Sequence, residues 1–405
     1  MKVLDVTEFY SPLGGGVRTY LTEKARWLAA RSDVEHVIVV SSDRDELEWW
    51  HRSRVYRVRG PGVPASPGYH LLLSRGKLAA IVRRERPDII EIGSPYLAPW
   101  LVRRAVRGLS ARLVGFLHED ARTLYVEHVL SWAPQPVRAL AGWLLSRYLR
   151  AAHSGFDLGV AATPRGGETL AAFGVREIAT VPLGVDTELF HPARRDPAWK
   201  TEVGASPQQP VALYVGRFST EKCLDVVLEA LPAVHDVTGL RLVLIGEGHR
   251  RKRFERLARG RPEMLAVLPF EPDRVRLARA YASADLFIAP CPYETFGLAA
   301  IEAMASGLPV VGVAAAGIGC LLDGVEWGRT YRAGDGRDCA RAVRELLQSD
   351  PREAGRRARA AAVARYSWER TFGELLALYR RVVQCRPSQP RPKSSPPSAA
   401  PSKSV

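Results

Sequence analysis

The sequence predicts an α/β protein of two doubly wound, parallel-sheet domains that face each other across a cleft. Three observations carry this expectation. Short, nearly continuous apolar runs alternate with helix-like segments, the pattern of strands buried on both faces between two helix layers. The alternation runs twice, with a break at 181–210. The chain has 405 residues, more than one hydrophobic core usually supports.

In the first half, "KVLDV" reads as a strand, "GVRTYLTEKARWLAAR" as a helix and "HVIVVS" as a strand. "LAAIVRRER" is a helix feeding the strand "DIIEI". "RLVGFLH" and "DLGVAA" are later strands, with an arginine-rich helix near 136–152 between them. The break is rich in Pro, Asp and Gly and has no sustained period, so a domain boundary is placed there. The alternation restarts with "VALYVGR", "LVLIGEG", "MLAVLPF", "DLFIAP" and "PVVGV". A last helix near 367–383 sets Trp368, Phe372, Leu375, Leu376 and Tyr379 at helical spacing. The expected organisation is a first domain over 1–190, a linker over 191–210, a second domain over 211–365, a C-terminal helix over 366–385 and a Pro/Ser-rich basic tail over 386–405, expected to be disordered.

Composition narrows the function classes. No run approaches the roughly 18–20 apolar residues of a membrane span. Asp5 and Glu8 interrupt the start of the chain where a signal peptide needs apolar residues, so a cytoplasmic location is expected. Five cysteines, with no C-x-x-C pair, fit neither a disulfide framework nor a zinc site. The net charge of +15 favours anionic partners, or reflects a bias toward arginine with no special partner. The basic helices around 75–86 and 138–150 lack the interleaved aromatic pattern of a nucleic-acid module, so nucleic acid is not expected. Trp143, Leu144, Leu145 and Tyr148 among arginines read as a membrane-surface face or as a packed helix.

Ligands of doubly wound sheets bind beyond the carboxyl ends of the strands, so the loops there are the candidate site. Gly14 to Gly16 follow the first strand; Gly15 and Gly16 allow close backbone approach before a helix N-terminus, or simply form a tight turn. Arg217 and Lys222 in "YVGRFSTEK" can converge on a diphosphate, or be solvated charges. In "ETFGLAAIE" a helix is expected to begin near Phe296, Gly297 and Leu298, with Thr295 able to cap it. Glu294 then precedes the helix and Glu302 lies within it, with Cα atoms at most on the order of 12 Å apart. Carboxylates accept hydrogen bonds from hydroxyls and repel phosphate, so acids at the ends with amides between suit a nucleotide sugar. The dipole at a helix N-terminus favours an acid there without any ligand. His118, at the end of "RLVGFLH", can touch a substrate from across the cleft or be structural. Asp43 and Asp45 in "DRD" read as a polar helix start or as a metal-binding pair.

On these motifs the chain resembles the retaining glycosyltransferases of family 4 (glycosyl transferases group 1), which have the GT-B fold of two Rossmann-like domains. "GGGVRTY", "VPLGVDTELFHP", "GRFSTEK", "GEG", Glu294 and Glu302 running on into "AMASGLPVVG", and "AGD" occur in the family's order, over nearly all of the chain up to about residue 383. The resemblance implies an acceptor-binding first domain, a donor-binding second domain and a last helix crossing back to the first. It implies that Arg217 and Lys222 hold the donor diphosphate, with Gly15 and Gly16 against it. Glu294 would bind sugar hydroxyls near the amides of Phe296, Gly297 and Leu298. Glu302 would bind the ribose, and His118 would contact the sugar near the reacting carbon. His118, Arg217, Lys222 and Glu294 are thus the catalytic candidates.

The resemblance further implies a hexosyl donor linked to UDP or GDP, no cofactor and no metal. It implies a hydroxyl acceptor on a lipid-linked or cell-envelope glycan, and with it a peripheral position at the inner face of an anionic membrane. Retention by same-face attack is also what the family implies. The sequence offers no well-placed second carboxylate for a covalent intermediate. Cys223 departs from the family, which often has glycine after the lysine. Two other classes stay open. A GT-B epimerase would convert the nucleotide sugar with no acceptor, and a phosphorylase would need inorganic phosphate. A non-catalytic basic binding protein would tolerate neutralisation of Glu294 or Lys222.

Overall fold

Two sheets organise the chain, and the order of their strands decides where a ligand can sit. The computed structural model describes residues 1–12, 14–64 and 68–385; the expected tail at 386–405 lies outside the described residues. The first sheet contains β1 (Lys2–Thr7), β2 (Glu35–Ser42), β3 (Glu46–Trp50), β4 (Ser53–Arg59), β5 (Ile89–Ile92), β6 (Arg112–Leu117), β7 (Leu158–Ala161) and β8 (Ile178–Thr180). The second contains β9 (Val211–Val215), β10 (Arg241–Ile245), β11 (Leu265–Leu268), β12 (Leu286–Ala289), β13 (Val310–Val313) and β14 (Gly328–Tyr331). The first runs β3-β4-β2-β1-β5-β6-β7-β8 and the second β11-β10-β9-β12-β13-β14. Neighbours pair in parallel, save for β3 against β4. This is the expected α/β class.

Alternate residues of the strands feed opposite layers, as the pleat requires. Val3, Ile38 and Val40 join the core shared with the C-terminal helix, while Leu4, Val6, Val37 and Val39 join the core on the other face. The strands β3, β4, β8 and β14 escape the sequence reading because they are not uniformly apolar; β3, "ELEWW", is a half-exposed edge. Asp43 and Asp45 accordingly do not start a helix. They sit in the turn from β2 to β3, where Asp45 accepts the Arg59 amide at 3.0 Å and pairs with Lys77 at 2.6 Å.

The last helix, Trp368–Gln384, packs on the first-domain helix Gly16–Ala29. Phe372 meets Tyr20 and Trp27 at ring-centroid distances of 5.6 and 5.8 Å. Beneath this contact lies a buried polar knot. Lys24, 2% exposed, donates to Asp5 Oδ1 (2.7 Å), Glu91 Oε2 (3.2 Å) and the Tyr379 hydroxyl (3.0 Å). Asp5 also bonds His36 Nε2 at 2.7 Å, and the Tyr20 and Tyr379 hydroxyls reach Glu91. The knot joins β1, β2, β5 and both helices. Lys24→Met would leave two carboxylates buried without their cation, a change that costs about 3–5 kcal/mol. Urea unfolding should show that loss, and a near-unchanged midpoint when the exposed Arg380–Asp33 pair is removed; equal small effects would contradict the anchoring role.

Candidate active site

In each sheet the chain reverses its winding at one point, between β1 and β5 and between β9 and β12. Loops diverge there and open a crevice. The glycine turn follows β1, "GRFSTEK" follows β9, and Glu294 follows β12, so three of the predicted motifs start from reversal points.

On the second-domain side, Lys222 ends a single 3-10 turn, Thr220–Lys222. Its Nζ donates to Glu294 Oε2 at 2.6 Å. Burial alone would push Lys222 toward neutrality, but Cys291, Glu294 and Tyr214 hold its pKa well above the ordinary lysine value. Burial likewise opposes the charge on Glu294, and Lys222 outweighs it, keeping the carboxyl below its usual range. Both groups are therefore charged at neutral pH. Arg217 is the more exposed cation, at 59%, and touches Glu221 Oε1 at 3.4 Å. Cys223, where the family often has glycine, has the left-handed geometry φ 52°, ψ 33°. Such a conformation costs a non-glycine residue about 1–2 kcal/mol, so the loop keeps its shape against the preference of its sequence.

The helix that follows, Leu298–Ala305, is capped by Gly297 in the left-handed region (φ 104°, ψ 61°) with no side-chain cap. A Cβ at Gly297 would come within 2.5 Å of Ile318 Cδ1. The amides of Phe296, Gly297 and Leu298 meet no protein acceptor among the described residues. Thr295, expected as the cap, instead donates to the backbone oxygen of His118 at 2.8 Å, from one domain to the other. The Phe296 ring turns away from the cleft. It is buried and meets Tyr366 edge-on at 5.7 Å, which leaves its amide as the available group.

Farther along the helix, Glu302 accepts from the Tyr281 hydroxyl at 3.1 Å and from Arg274 at 3.3 Å. Burial raises its pKa despite Arg274. A carboxylate offers about four lone-pair sites, so these two bonds leave acceptor capacity. Arg274 escaped sequence reading among many arginines; its signal is a position right after the Asp273 helix cap, past the end of β11.

On the first-domain side, Gly14 and Gly15 take φ of 119° and 116°, and Gly15 caps the helix Gly16–Ala29. A Cβ on Gly16 would stand 3.1 Å from Leu298 Cδ1, so the glycine turn lies against the start of the opposing helix. His118 stacks on Phe116 at 4.4 Å and meets the edge of Tyr20 at 5.0 Å. Burial, helped by the charge on Lys24, pushes its pKa down to about 3, so the ring is neutral. The structure thus gathers Gly16, His118, Thr295 and Leu298 at one junction, and at another it pairs Lys222, from the loop after β9, with Glu294, next to Thr295. It keeps Glu302 in a separate cluster with Arg274. The neighbour of His118, Glu119, also enters this region, although the sequence reading passed over it.

Comparisons with known proteins agree in direction. A family model described as Glycosyltransferase Family 4 matches residues 14–189, and one described as Glycosyl transferases group 1 matches 209–349. Over 393 residues the chain is 32% identical to a GDP-mannose-dependent alpha-(1-6)-phosphatidylinositol dimannoside mannosyltransferase of Mycobacterium tuberculosis, covering 93% of this chain and 95% of that one. It is 29% identical over 343 residues to a sulfoquinovosyl transferase of Arabidopsis thaliana, covering 82% and 64%. Among solved structures, sucrose-phosphate synthase from Thermosynechococcus elongatus aligns with TM-score 0.76 at 20% identity, over 94% of this chain and 99% of that one. Anabaena HepE in complex with UDP aligns with TM-score 0.73 at 18% identity, over 94% and 100%. At such identities these two speak for the fold alone.

The state of His118 makes a pH prediction. Its pKa falls from 6.5 to about 3 on folding, so between those values the unfolded chain binds more protons. The stability this contributes is complete above about pH 6.5 and is lost as pH falls toward 3. Burial lowers His36 and His153 in the same direction. Replacing His118 by Asn should flatten the pH dependence of the unfolding free energy between those limits, and an unchanged slope would contradict a neutral His118.

Proposed function

The chain belongs to the family 4 glycosyltransferases, and from that premise we propose that it moves a mannosyl unit from GDP-mannose to a hydroxyl of a lipid-linked or cell-envelope acceptor, with retention. The observation that carries the reading is the Lys222–Glu294 pair beside three unpaired amides, facing a glycine turn of the other domain. The donor base and sugar rest on the similarity to GDP-mannose-dependent relatives.

In this reading Arg217 and Lys222 hold the diphosphate, with Gly15 and Gly16 against it. Glu294 takes the sugar hydroxyls, the amides of Phe296, Gly297 and Leu298 add donors, and Glu302 takes the ribose. His118, held neutral by burial, presents its ring near the reacting carbon without adding charge. When the sugar leaves, negative charge builds on the phosphate oxygen, where fixed cations and amides stabilise it. Those groups already supply the positive potential, so the reaction requires no cofactor or divalent ion.

A peripheral membrane position is part of the proposal. No helix among the described residues is long and apolar enough to cross a membrane. The helix Gln135–His153 and the residues before it instead expose Trp132 (80%), Leu140 (59%), Trp143 (59%) and Leu144 (53%). Arg147 and Arg150 are exposed beside them, Arg138 is half-buried, and Leu145 packs inward. Such a face suits insertion at the headgroup level, with a contribution of about 1 kcal/mol per basic residue near an anionic surface.

Release of GDP from GDP-mannose, compared with UDP- and ADP-sugars, tests the donor assignment, and preference for another donor would overturn it. Activity should survive EDTA; loss restored by Mn²⁺ or Mg²⁺ would contradict the cation assignment. Glu302→Ala should mainly raise the donor KM, whereas Lys222→Ala or Glu294→Ala should lower kcat by about a hundredfold, because charge on the leaving phosphate develops only during reaction. Equal effects on both constants for all three would remove these roles. Flotation with anionic vesicles should show binding that falls with salt and with neutralisation of Arg147 and Arg150. No binding at low salt would point to an acceptor away from membranes.

A further inference from the structure

The acceptor side of the cleft holds a polar triad that the donor site does not use. Glu119 follows His118 beyond the end of β6, Tyr96 lies in the loop after β5, and Tyr125 lies in the π-helical segment Thr123–Val129. The Tyr96 hydroxyl donates to Glu119 Oε1 at 2.6 Å and lies 2.9 Å from the Tyr125 hydroxyl. Tyr96 is fixed from behind. Its ring meets Phe9 edge-on at 5.4 Å, and its backbone oxygen accepts from the Tyr148 hydroxyl at 2.6 Å. Glu119 Oε2 meets no protein donor among the described residues.

The position of this carboxylate matters as much as its partners. Glu119 directly follows His118, whose backbone oxygen accepts from Thr295 across the cleft at 2.8 Å, so it stands beside the second-domain loop of Glu294. Burial raises its pKa against the pull of the Tyr96 bond and of Arg217 and Lys222. An acceptor atom must come within about 3–3.5 Å of the reacting carbon. It therefore has to pass between the loop carrying His118 and Glu119 and the two loops carrying Lys222 and Glu294. No anion is needed there for folding: the Tyr96 bond and the aromatic packing would survive with an amide in its place.

We propose that Glu119, oriented by Tyr96 and Tyr125, reads the acceptor by accepting a hydrogen bond from a neutral sugar-like hydroxyl on Oε2, and that it excludes acceptors with a phosphomonoester at that point. A carboxylate accepts from a hydroxyl but can offer a phosphate nothing except like-charge repulsion. Tyr96 holds Oε1, so the free oxygen points one way and the choice is geometric as well as electrostatic. The proposal rests on the mannosyltransferase reading for its donor and adds the acceptor class.

Steady-state transfer from GDP-mannose to methyl α-D-mannopyranoside and to mannose 6-phosphate, with the full chain, tests it. The wild type should favour the neutral acceptor by at least about tenfold in kcat/KM, which corresponds to about 1.4 kcal/mol. Glu119→Gln should narrow that preference about tenfold, mainly through acceptor KM, while the donor KM stays within about twofold. Tyr96→Phe, which keeps the ring, should narrow it in part and serves if the first variant does not fold. An unchanged preference in both variants, or a donor KM that rises with the acceptor KM, overturns the proposal. A wild type that releases no GDP would instead remove the donor reading beneath it.

Discussion

Lys222 and Glu294 lie 2.6 Å apart, and much of the second domain serves to keep them so. They come from loops after β9 and β12, strands that neighbour each other in the sheet although 70 residues separate them in sequence. Breaking such a partly buried pair would strand a charge away from water, a larger loss than any benefit of forming it. The pair therefore helps to fix the relative position of two loops that the Cys291 thiol also ties together, through the Glu221 backbone oxygen at 3.3 Å. The left-handed Cys223 is a local cost of holding that geometry, whereas Gly297 takes its positive φ freely.

Coupling between the domains comes from two places of different character. The Trp368–Gln384 helix is bound to the first domain by aromatic packing and by the knot around Lys24, deep in the core. At the cleft the contacts are mixed: the Thr295–His118 bond, the tilted ring contact of His128 with Tyr293 at 5.1 Å and the approach of Gly16 to Leu298. Tyr20 joins the two places, since its ring meets Phe372 of the last helix at 5.6 Å and His118 of the site at 5.0 Å. The same Thr295 that was expected to cap its own helix leaves the helix amides unsatisfied, which is what an anionic ligand requires.

Much of this was legible in the sequence. The apolar runs located ten of the fourteen strands, because strands buried on both faces carry an unbroken signal. The edge strand β3 did not, since half of "ELEWW" faces water. Lys222, Glu294 and the glycine turn were legible because their chemistry depends on type and spacing near strand ends. Arg274 and Glu119 were not. Each is one charge among many, and only the fold says that one meets Glu302 and the other faces the cleft.

The central claim is that fixed charge at Lys222 recognises the diphosphate, and calorimetric binding of guanosine, GMP and GDP to the wild type and to Lys222→Met tests it most directly. The substitution should leave guanosine binding nearly unchanged, weaken GMP modestly and weaken GDP, whose terminal phosphate already carries the charge that the donor develops only in reaction, by about a hundredfold, near 2.7 kcal/mol. An equal loss for all three ligands would mean that Lys222 supports the fold rather than the phosphates, and would contradict the account.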